Sequence, residues 1–202
     1  MNKIIITGTS RGIGNAIAKN LLKQNFTVIG ISRKHTIKHK NYFAISFDLN
    51  DLKNIKNILD DIIFNHKKID AIISNAGYGL FENLENLKEK EVIDFFNVNL
   101  LAHILISKIL VSHFKKKKTG HFIFIGSEAS LKGSQKSTLY SAAKHGLLGF
   151  VKSFREECSK SEIRVTIINP GMVNSSFFKK LKFSPGKSIK NSIKLADIAE
   201  LV

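Results

Sequence analysis

Two textures of hydrophobic patterning alternate along this chain. Short runs rich in Ile, Val, Phe and Thr occur at Lys3 to Thr7, Phe26 to Ser32, Tyr42 to Ser46, Ile69 to Ser74, His121 to Gly126 and Arg164 to Asn169. Most are nearly continuous in apolar character, which predicts strands buried on both faces. Between them lie segments with helical spacing of apolar residues: Ile13 to Lys23, Leu52 to Asn65, Lys88 to Lys115 and Thr138 to Lys160. Strands that alternate with helices of this length are joined by crossovers. The pattern therefore predicts an α/β fold, a doubly wound parallel sheet with helices on both faces.

Beyond Pro170-Gly171, which closes the last predicted strand with a turn, the pattern thins. Residues 174–194 read as a flap of loop and short helix. Its Phe177, Phe178, Leu181 and Phe183 either close over an apolar ligand or pack on the core, and periodicity does not separate the two. Residues 195–202 begin an amphipathic helix that stops after about two turns.

Composition narrows the function classes. With 202 residues, 43% hydrophobic and 24% charged, residues 1–202 fit one folded domain with a substantial core. The single cysteine, Cys158, excludes an intrachain disulfide framework and suits a reducing compartment. The first apolar run is too short for a signal peptide, and no stretch approaches the roughly 18 apolar residues of a membrane span. A cytoplasmic protein without a membrane partner is expected. The formal net charge of +16 raises the question of phosphate attraction, but the lysines are dispersed. Their densest run, Lys115 to Lys118, falls at a predicted helix C-terminus, where cations complement the dipole. Aromatic and basic residues do not interleave as base stacking requires, so nucleic acid is not an expected partner. His35 and His39 flank a basic loop segment and are not expected to hold metal.

Candidate chemistry begins where the first strand ends. Gly8, Gly12 and Gly14, in Thr7-Gly8-Thr9-Ser10-Arg11-Gly12-Ile13-Gly14, separate that strand from the first helix. Glycines there let backbone approach a pyrophosphate, and the helix N-terminus supplies free N–H groups and a favourable dipole. The spacing G-x-x-x-G-x-G differs from the G-x-G-x-x-G fingerprint, and such a turn alone also fits a tight strand-to-helix connection. The second strand ends in Ile31-Ser32-Arg33-Lys34, with no acid where an NAD-selecting fold carries one. Arg33 suits a forked grip on a 2′-phosphate and Arg11 adds charge, so NADP(H) is the expected cofactor.

Tyr140 and Lys144, four apart on a predicted helix, share a face. A free tyrosine has a pKa of about 10, too high for proton exchange near neutrality, and an adjacent ammonium favours the phenolate. Lys144 is therefore expected to lower the Tyr140 pKa. Tyr140 then donates a proton to a carbonyl oxygen as hydride reaches the carbon.

With these motifs in hand, the chain resembles the short-chain dehydrogenase/reductase family, in its single-domain, NADP(H)-preferring branch. The resemblance runs from Met1 to about Ser175 through Thr7 to Gly14, Asp48-Leu49, Asn75-Ala76-Gly77, Ser127 with Tyr140 and Lys144, and Asn169-Pro170-Gly171. It implies a Rossmann fold and hydride transfer between a small-molecule carbonyl and alcohol. Cofactor contacts are implied at Gly8, Ser10, Arg11, Gly12, Ile13, Gly14, Ser32 and Arg33. Asp48 and Leu49 resemble the pair that contacts adenine, and Asn75, Ala76 and Gly77 the segment that supports the sheet and lines the ribose site. Asn99 resembles the helix asparagine that holds a water in a proton relay. Ser127 resembles the hydroxyl that orients the substrate carbonyl, Tyr140 the acid or base, and Lys144 the residue that binds the nicotinamide ribose and tunes the tyrosine. Pro170, Gly171, Val173 and Ser175 resemble the stretch that positions the carboxamide.

The chain also departs from the family pattern. Ser74 stands where an asparagine is common before Asn-Ala-Gly, and Glu128 follows the serine where small or apolar residues are common, placing it toward solvent or substrate. With Glu128, residues Tyr78, Leu131, Met172 and Phe177 are expected to line the substrate pocket. The family usually adds a further helix and a final strand, so the C-terminal helix and last strand are expected to be missing. That leaves Arg164 to Asn169 as an unprotected sheet edge. A homodimer through the helices around 99–115 and 138–160 is expected. Two alternatives remain beside a general carbonyl reductase: a reductase of 3-oxoacyl thioesters on an acyl carrier protein, and a non-catalytic NADP-binding sensor or truncated remnant.

Overall fold

The computed structural model describes residues 2–173 and 192–202. Ser175 and the flap phenylalanines Phe177, Phe178 and Phe183, with Leu181, lie outside the described residues. Six strands form one parallel sheet: β1 (Lys3–Thr7), β2 (Thr27–Ser32), β3 (Tyr42–Ser46), β4 (Ala71–Ser74), β5 (Gly120–Ile125) and β6 (Ile163–Ile168), in the order β3-β2-β1-β4-β5-β6. The order reverses between β1 and β4, the switch point at which strand C-termini leave a crevice for a ligand.

Helices α1 (Gly12–Lys23), α2 (Ile55–His66), α3 (Glu89–Phe96), α4 (Ala102–Lys117), α5 (Thr138–Cys158) and α6 (Leu195–Leu201) cover the sheet. Alternation along β1 shows how. Ile5 points into a core formed with Leu59 and Ile62 of α2, Ile106, Leu110 and Phe114 of α4, and Leu147 and Val151 of α5. Ile4 and Ile6 point the other way, against Ile17, Leu21 and Leu22 of α1 and Ala199 of α6. This explains the unbroken isoleucines, because both faces of the central strand are dry. Phe114 lies over the start of β5, where a β-carbon on Gly120 would collide with its ring. Burying such a ring stabilises by roughly 1.5–3 kcal/mol.

The predicted helix over Lys88 to Lys115 is one helical run with a π-helical turn, Asn97–Leu101, between α3 and α4. The Asn99 side chain accounts for the break. Its Nδ2 donates to the Phe95 carbonyl 3.0 Å away, and the Ala102 N–H bonds five residues back to Asn97. The run Glu89–Lys117 carries an 18-residue window of mean hydropathy 1.6, long and apolar enough to cross a membrane, which corrects the expectation that no segment approaches that length. Within it, Phe95, Leu110 and Phe114 are fully buried, and Asn99 and His103 make buried hydrogen bonds to the strand-end loops. Those features are of a core helix.

The lysine run ends α4 as expected, with more structure than a solvated helix end. Lys117 donates to the Ile69 carbonyl, 2.9 Å away, and pairs with Asp70, while Lys118 adopts a left-handed φ of +56° that stops the helix. The edge strand β6 is not bare either. Arg155 Nε of α5 donates to the Val165 carbonyl at 3.0 Å, and Arg164 is exposed, two devices that discourage pairing with another strand. The terminal helix α6 docks on α1, where Asn20 Nδ2 donates to the Ala199 carbonyl at 2.7 Å.

Candidate active site

The glycine turn after β1, Asn75 to Gly77 after β4, Ser127 after β5 and Pro170-Gly171 after β6 all follow strand C-termini, so the sheet brings them to one rim. The π-helical turn and α5 add Asn99, Tyr140 and Lys144. After β1, Gly8 takes a φ of +77°, and a β-carbon there would stand 3.0 Å from the Ala76 Cα. A β-carbon on Gly14 would fall 2.5 Å from the Gly8 carbonyl oxygen and on top of Asn75 Nδ2. These two glycines serve close packing. Gly12 differs: its φ is +64° and nothing lies within 4 Å of where a β-carbon would project. Arg11 at the N-cap offers no side-chain cap, and the first turn of α1 has no acidic residue. Uncapped backbone donors, a positive dipole end and clear space over Gly12 fit an anionic group such as a pyrophosphate.

The C-terminal end of β2 and the loop that follows it border the same rim. Ser32 is buried, while Arg33 is exposed and its Nη1 stands 3.8 Å from Asp48 Oδ2. Asp48 also accepts from the Asn50 N–H at 3.0 Å, and Leu49 is in the core. Ser10 accepts from Thr36 Oγ1, which ties the turn to the basic loop after Arg33. Tyr42 adds a link that the sequence reading did not anticipate. Its hydroxyl lies 2.8 Å from both Thr9 Oγ1 and His35 Nδ1.

Asn75, Ala76 and Gly77 form a strap beside the glycine turn. Thr7 Oγ1 accepts from the Asn75 and Ala76 N–H groups at 2.9 and 3.0 Å, and Asn75 Nδ2 donates to the Thr7 carbonyl. Asn99 Oδ1 accepts from the Tyr78 N–H at 3.1 Å, with Gly77 lacking the β-carbon that would crowd that oxygen. Both ends of the Asn99 side chain are therefore engaged in holding backbone. His103, one turn further along, was missed in the sequence. It is 1% exposed, and its Nε2 lies 2.9 Å from the Ala76 carbonyl oxygen. Its place on an apolar helix, with no motif around it, gave the sequence reading no signal to follow.

Ser127, Tyr140 and Lys144 converge beyond β5. The Ser127 N–H donates to Asn169 Oδ1 at 3.2 Å, and Gly126 has no β-carbon to obstruct that side chain. Ser127 Oγ accepts from the Ala129 N–H and also hydrogen-bonds the Tyr140 hydroxyl. Lys144 Nζ, nearly buried, donates to the Ile125 carbonyl at 3.0 Å and stands 5.9 Å from the Tyr140 ring centroid. Burial pushes Tyr140 above its ordinary value, with the Ser127 hydrogen bond acting against it. Burial also pushes Lys144 down to about 8. The expectation that Lys144 lowers the Tyr140 pKa is thus corrected for the chain on its own. Desolvation of the phenol outweighs the Ser127 hydrogen bond, and the Lys144 ammonium is itself desolvated and directed at a carbonyl.

Pro170, Gly171 and Val173 border the same region: the Pro170 carbonyl accepts from the Glu128 N–H, and Val173 bridges to Ile193. Glu128 is exposed, with its carboxylate against Gly171, so it lies at the mouth of the site. Leu131 and Met172 are exposed, Tyr78 packs edge-on against Phe95, and Phe81 lies 5.2 Å from the Tyr140 ring. Among the described residues no cluster of metal-ligating side chains occurs.

Comparison with known proteins agrees with this geometry. The profile of a family described as short chain dehydrogenase matches residues 2–184. A 3-oxoacyl-[acyl-carrier-protein] reductase from Buchnera aphidicola is 38% identical over 184 residues, covering 87% of this chain and 75% of that reductase. Carbonyl reductase family member 4 of Xenopus laevis is 29% identical, covering 90% and 80%. An alcohol dehydrogenase from the archaeon Thermococcus sibiricus, solved with 5-hydroxy-NADP, superposes with a TM-score of 0.86 at 26% identity, covering all of this chain and 88% of that one.

Proposed function

The chain belongs to the short-chain dehydrogenase family, and from that premise we propose that it reduces a small-molecule carbonyl with NADPH, using Tyr140 as the acid. It is an oxidoreductase of CH–OH and C=O groups that uses a nicotinamide dinucleotide. The observation that carries the finer reading is the convergence of Ser127, Tyr140 and Lys144 beside the glycine cradle.

In this reading the open face of Gly12 and the first turn of α1, with Gly8, Ser10, Ile13 and Gly14 around them, hold the pyrophosphate. Arg11, Ser32 and Arg33 take the 2′-phosphate, Asp48 and Leu49 the adenine, and Asn75 to Gly77 the adjoining ribose. Lys144 holds the nicotinamide ribose, and Pro170, Gly171, Val173 and Ser175 the carboxamide. When bound, a reduced nicotinamide supplies the hydride. The chain's own work is done by oriented hydroxyls: Ser127 and Tyr140 hydrogen-bond the oxygen on which charge develops, and Tyr140 releases its proton to it. Ser127 is fixed for this by Asn169, and Asn99 holds the strap. The family resemblance implies that Asn99 also holds a water in the proton relay to Lys144. Donors set before reaction lower the barrier without reorganising during it.

A 3-oxoacyl thioester on an acyl carrier protein is the second reading of the substrate. The 3-oxoacyl-[acyl-carrier-protein] reductases among its relatives and the +16 charge of this chain, suited to an acidic carrier, favour it. The whole of residues 1–202 acts as one dinucleotide-binding domain, a cytoplasmic homodimer through α4 and α5, with neither nucleic acid nor membrane as partner. Leu101, 39% exposed beside α4, supports that contact.

The experiment is NADPH oxidation over aldehydes, ketones and 3-oxoacyl thioesters, with Tyr140→Phe as control. That variant should bind NADPH yet lose at least about 100-fold in kcat. Turnover near that of the parent would remove Tyr140 from the mechanism. Turnover confined to the carrier-bound thioester would select the second reading.

A further inference from the structure

The residues that hold the Asn75-Ala76-Gly77 strap come from opposite sides. Thr7 of β1 accepts from its N–H groups, and Asn99 accepts from the Tyr78 N–H where the strap leaves. The strap's central carbonyl, that of Ala76, faces His103. This histidine does not touch the catalytic hydroxyls, yet it is buried and fully engaged: Nε2 is 2.9 Å from the Ala76 carbonyl oxygen and Nδ1 is 2.6 Å from Ser74 Oγ.

We infer that His103 and Ser74 form a strut that sets the position of the strap against the glycine turn, making His103 a positioning residue for dinucleotide affinity. The chemistry of the partners dictates its proton. A carbonyl oxygen only accepts, so Nε2 carries the hydrogen and donates to Ala76. Nδ1 is then the bare acceptor and takes the Ser74 hydroxyl proton. One neutral tautomer satisfies both contacts, whereas the Nδ1–H form would set a lone pair against the Ala76 carbonyl.

The surroundings keep the ring neutral. Burial and then the positive charge of Lys144 push its pKa down to about 3, against the Ala76 hydrogen bond, which pulls it up. The donor to Ala76 is thus unchanged across the working range of the site. The strap runs close against the glycine turn, since a β-carbon on Gly8 would stand only 3.0 Å from the Ala76 Cα. An ångström of sag at Ala76 changes the fit between strap and glycine turn, where the dinucleotide is held. Ser74 replaces an asparagine common at this point of the family pattern, and the histidine meets the smaller hydroxyl from the facing helix.

This rests on the dinucleotide reading of the site, and the test separates the two. His103→Leu removes both hydrogen bonds, Ser74→Ala removes one with minimal change of volume, and His103→Gln offers an amide donor and acceptor in their place. NADPH affinity is read by fluorescence titration, and KM for NADPH is compared with kcat. His103→Leu should weaken NADPH binding at least about tenfold, or about 1.4 kcal/mol, and raise KM for NADPH in proportion, with a much smaller fall in kcat. Ser74→Ala should move the same way by less, and His103→Gln should recover most of the loss. Nitrogen-15 correlation spectra of the unaltered protein, without ligand, should show His103 as the neutral Nε2–H tautomer from pH 5 to pH 9.

Unchanged NADPH affinity in a destabilised His103→Leu would reduce His103 to a structural role and overturn the inference, as would an Nδ1–H or cationic ring in the spectra. If His103→Leu does not fold, Ser74→Ala and the spectra decide. An unaltered protein that binds no NADPH while its spectra show the expected tautomer would sink the dinucleotide reading and the affinity role together.

Discussion

Lys144 Nζ stands 5.9 Å from the Tyr140 ring centroid while donating to the Ile125 carbonyl 3.0 Å away. Lys144 is buried and Tyr140 half-buried, and both are displaced toward neutrality. The phenol is pushed up and the ammonium down to about 8. Displaced titratable pairs of this kind cluster at functional sites.

That displacement has a thermodynamic signature. Lys144 has an ordinary value of 10.5 and a folded value of about 8. Between these the unfolded chain binds a proton at this site that the folded chain has released, so this group makes stability rise with pH through the window and burdens the fold below it. Tyr140, pushed the other way, lowers stability only above its ordinary value of 10.0. Lys144→Met abolishes the lysine contribution. The melting temperature of the parent relative to this variant should climb by at least about 3 °C from pH 8 to pH 10, measured calorimetrically in matched buffers. A difference that does not change with pH would mean that Lys144 is not desolvated.

Cofactor choice should answer to Arg33. Its guanidinium is exposed and only loosely paired, 3.8 Å from Asp48, so it is available to an incoming phosphate. Arg33→Glu replaces a forked donor with a repelling charge. NADPH binding should weaken about 10- to 100-fold, or about 1.4–2.8 kcal/mol, while NADH binding stays within about threefold. An equal loss for both dinucleotides would place the 2′-phosphate elsewhere.

The strands and helices of the fold were legible in the sequence because parallel strands covered on both faces leave continuous apolar runs, as in Ile4-Ile5-Ile6. The π-helical turn at Asn97 was not legible, because it depends on a side chain competing for the Phe95 carbonyl, which spacing does not report. In the site, Gly8 and Gly12 look alike as letters. Only packing shows that one abuts Ala76 and the other opens to space. The Tyr140 shift went against expectation for a similar reason: sequence proximity gives the charge of Lys144 but not the depth of the phenol. His103 was passed over because a lone histidine on an apolar helix carries no motif, and its partners Ser74 and Ala76 come from β4 and the loop that follows it.

The two kinds of glycine should separate experimentally. Gly12→Ala meets nothing in the protein and costs only the strain of a left-handed backbone, about 1–2 kcal/mol, yet its methyl projects into the space assigned to the pyrophosphate. It should fold and lose most NADPH affinity. Gly14→Ala collides with the Gly8 backbone and Asn75, and overpacking of this kind costs about 1–3 kcal/mol or more, so its first effect should be on melting temperature. Chemical denaturation paired with NADPH titration distinguishes them. A Gly12→Ala protein that binds NADPH normally would show that the open space is not where the phosphates lie.

The homodimer reading can be tested at Leu101. This side chain is 39% exposed on the π-helical turn that leads into α4, and a β-carbon at Gly146 of α5 would stand 3.1 Å from a methyl carbon of neighbouring Leu100, so the two helices already meet closely within one chain. An apolar side chain left outside such a pair suits a second copy, whose equivalent residue meets it across a twofold axis. Leu101→Glu would place two carboxylates in that contact, a desolvation and repulsion that no rearrangement of a short acidic side chain relieves. The parent should be a dimer in light scattering at micromolar concentration, and the variant should dissociate at least about tenfold more readily, or about 1.4 kcal/mol. NADPH binding provides the control for folding, since Leu101 is not one of the proposed cofactor contacts. A parent that scatters as a monomer, or a variant as dimeric as the parent, would remove α4 and α5 from any assembly.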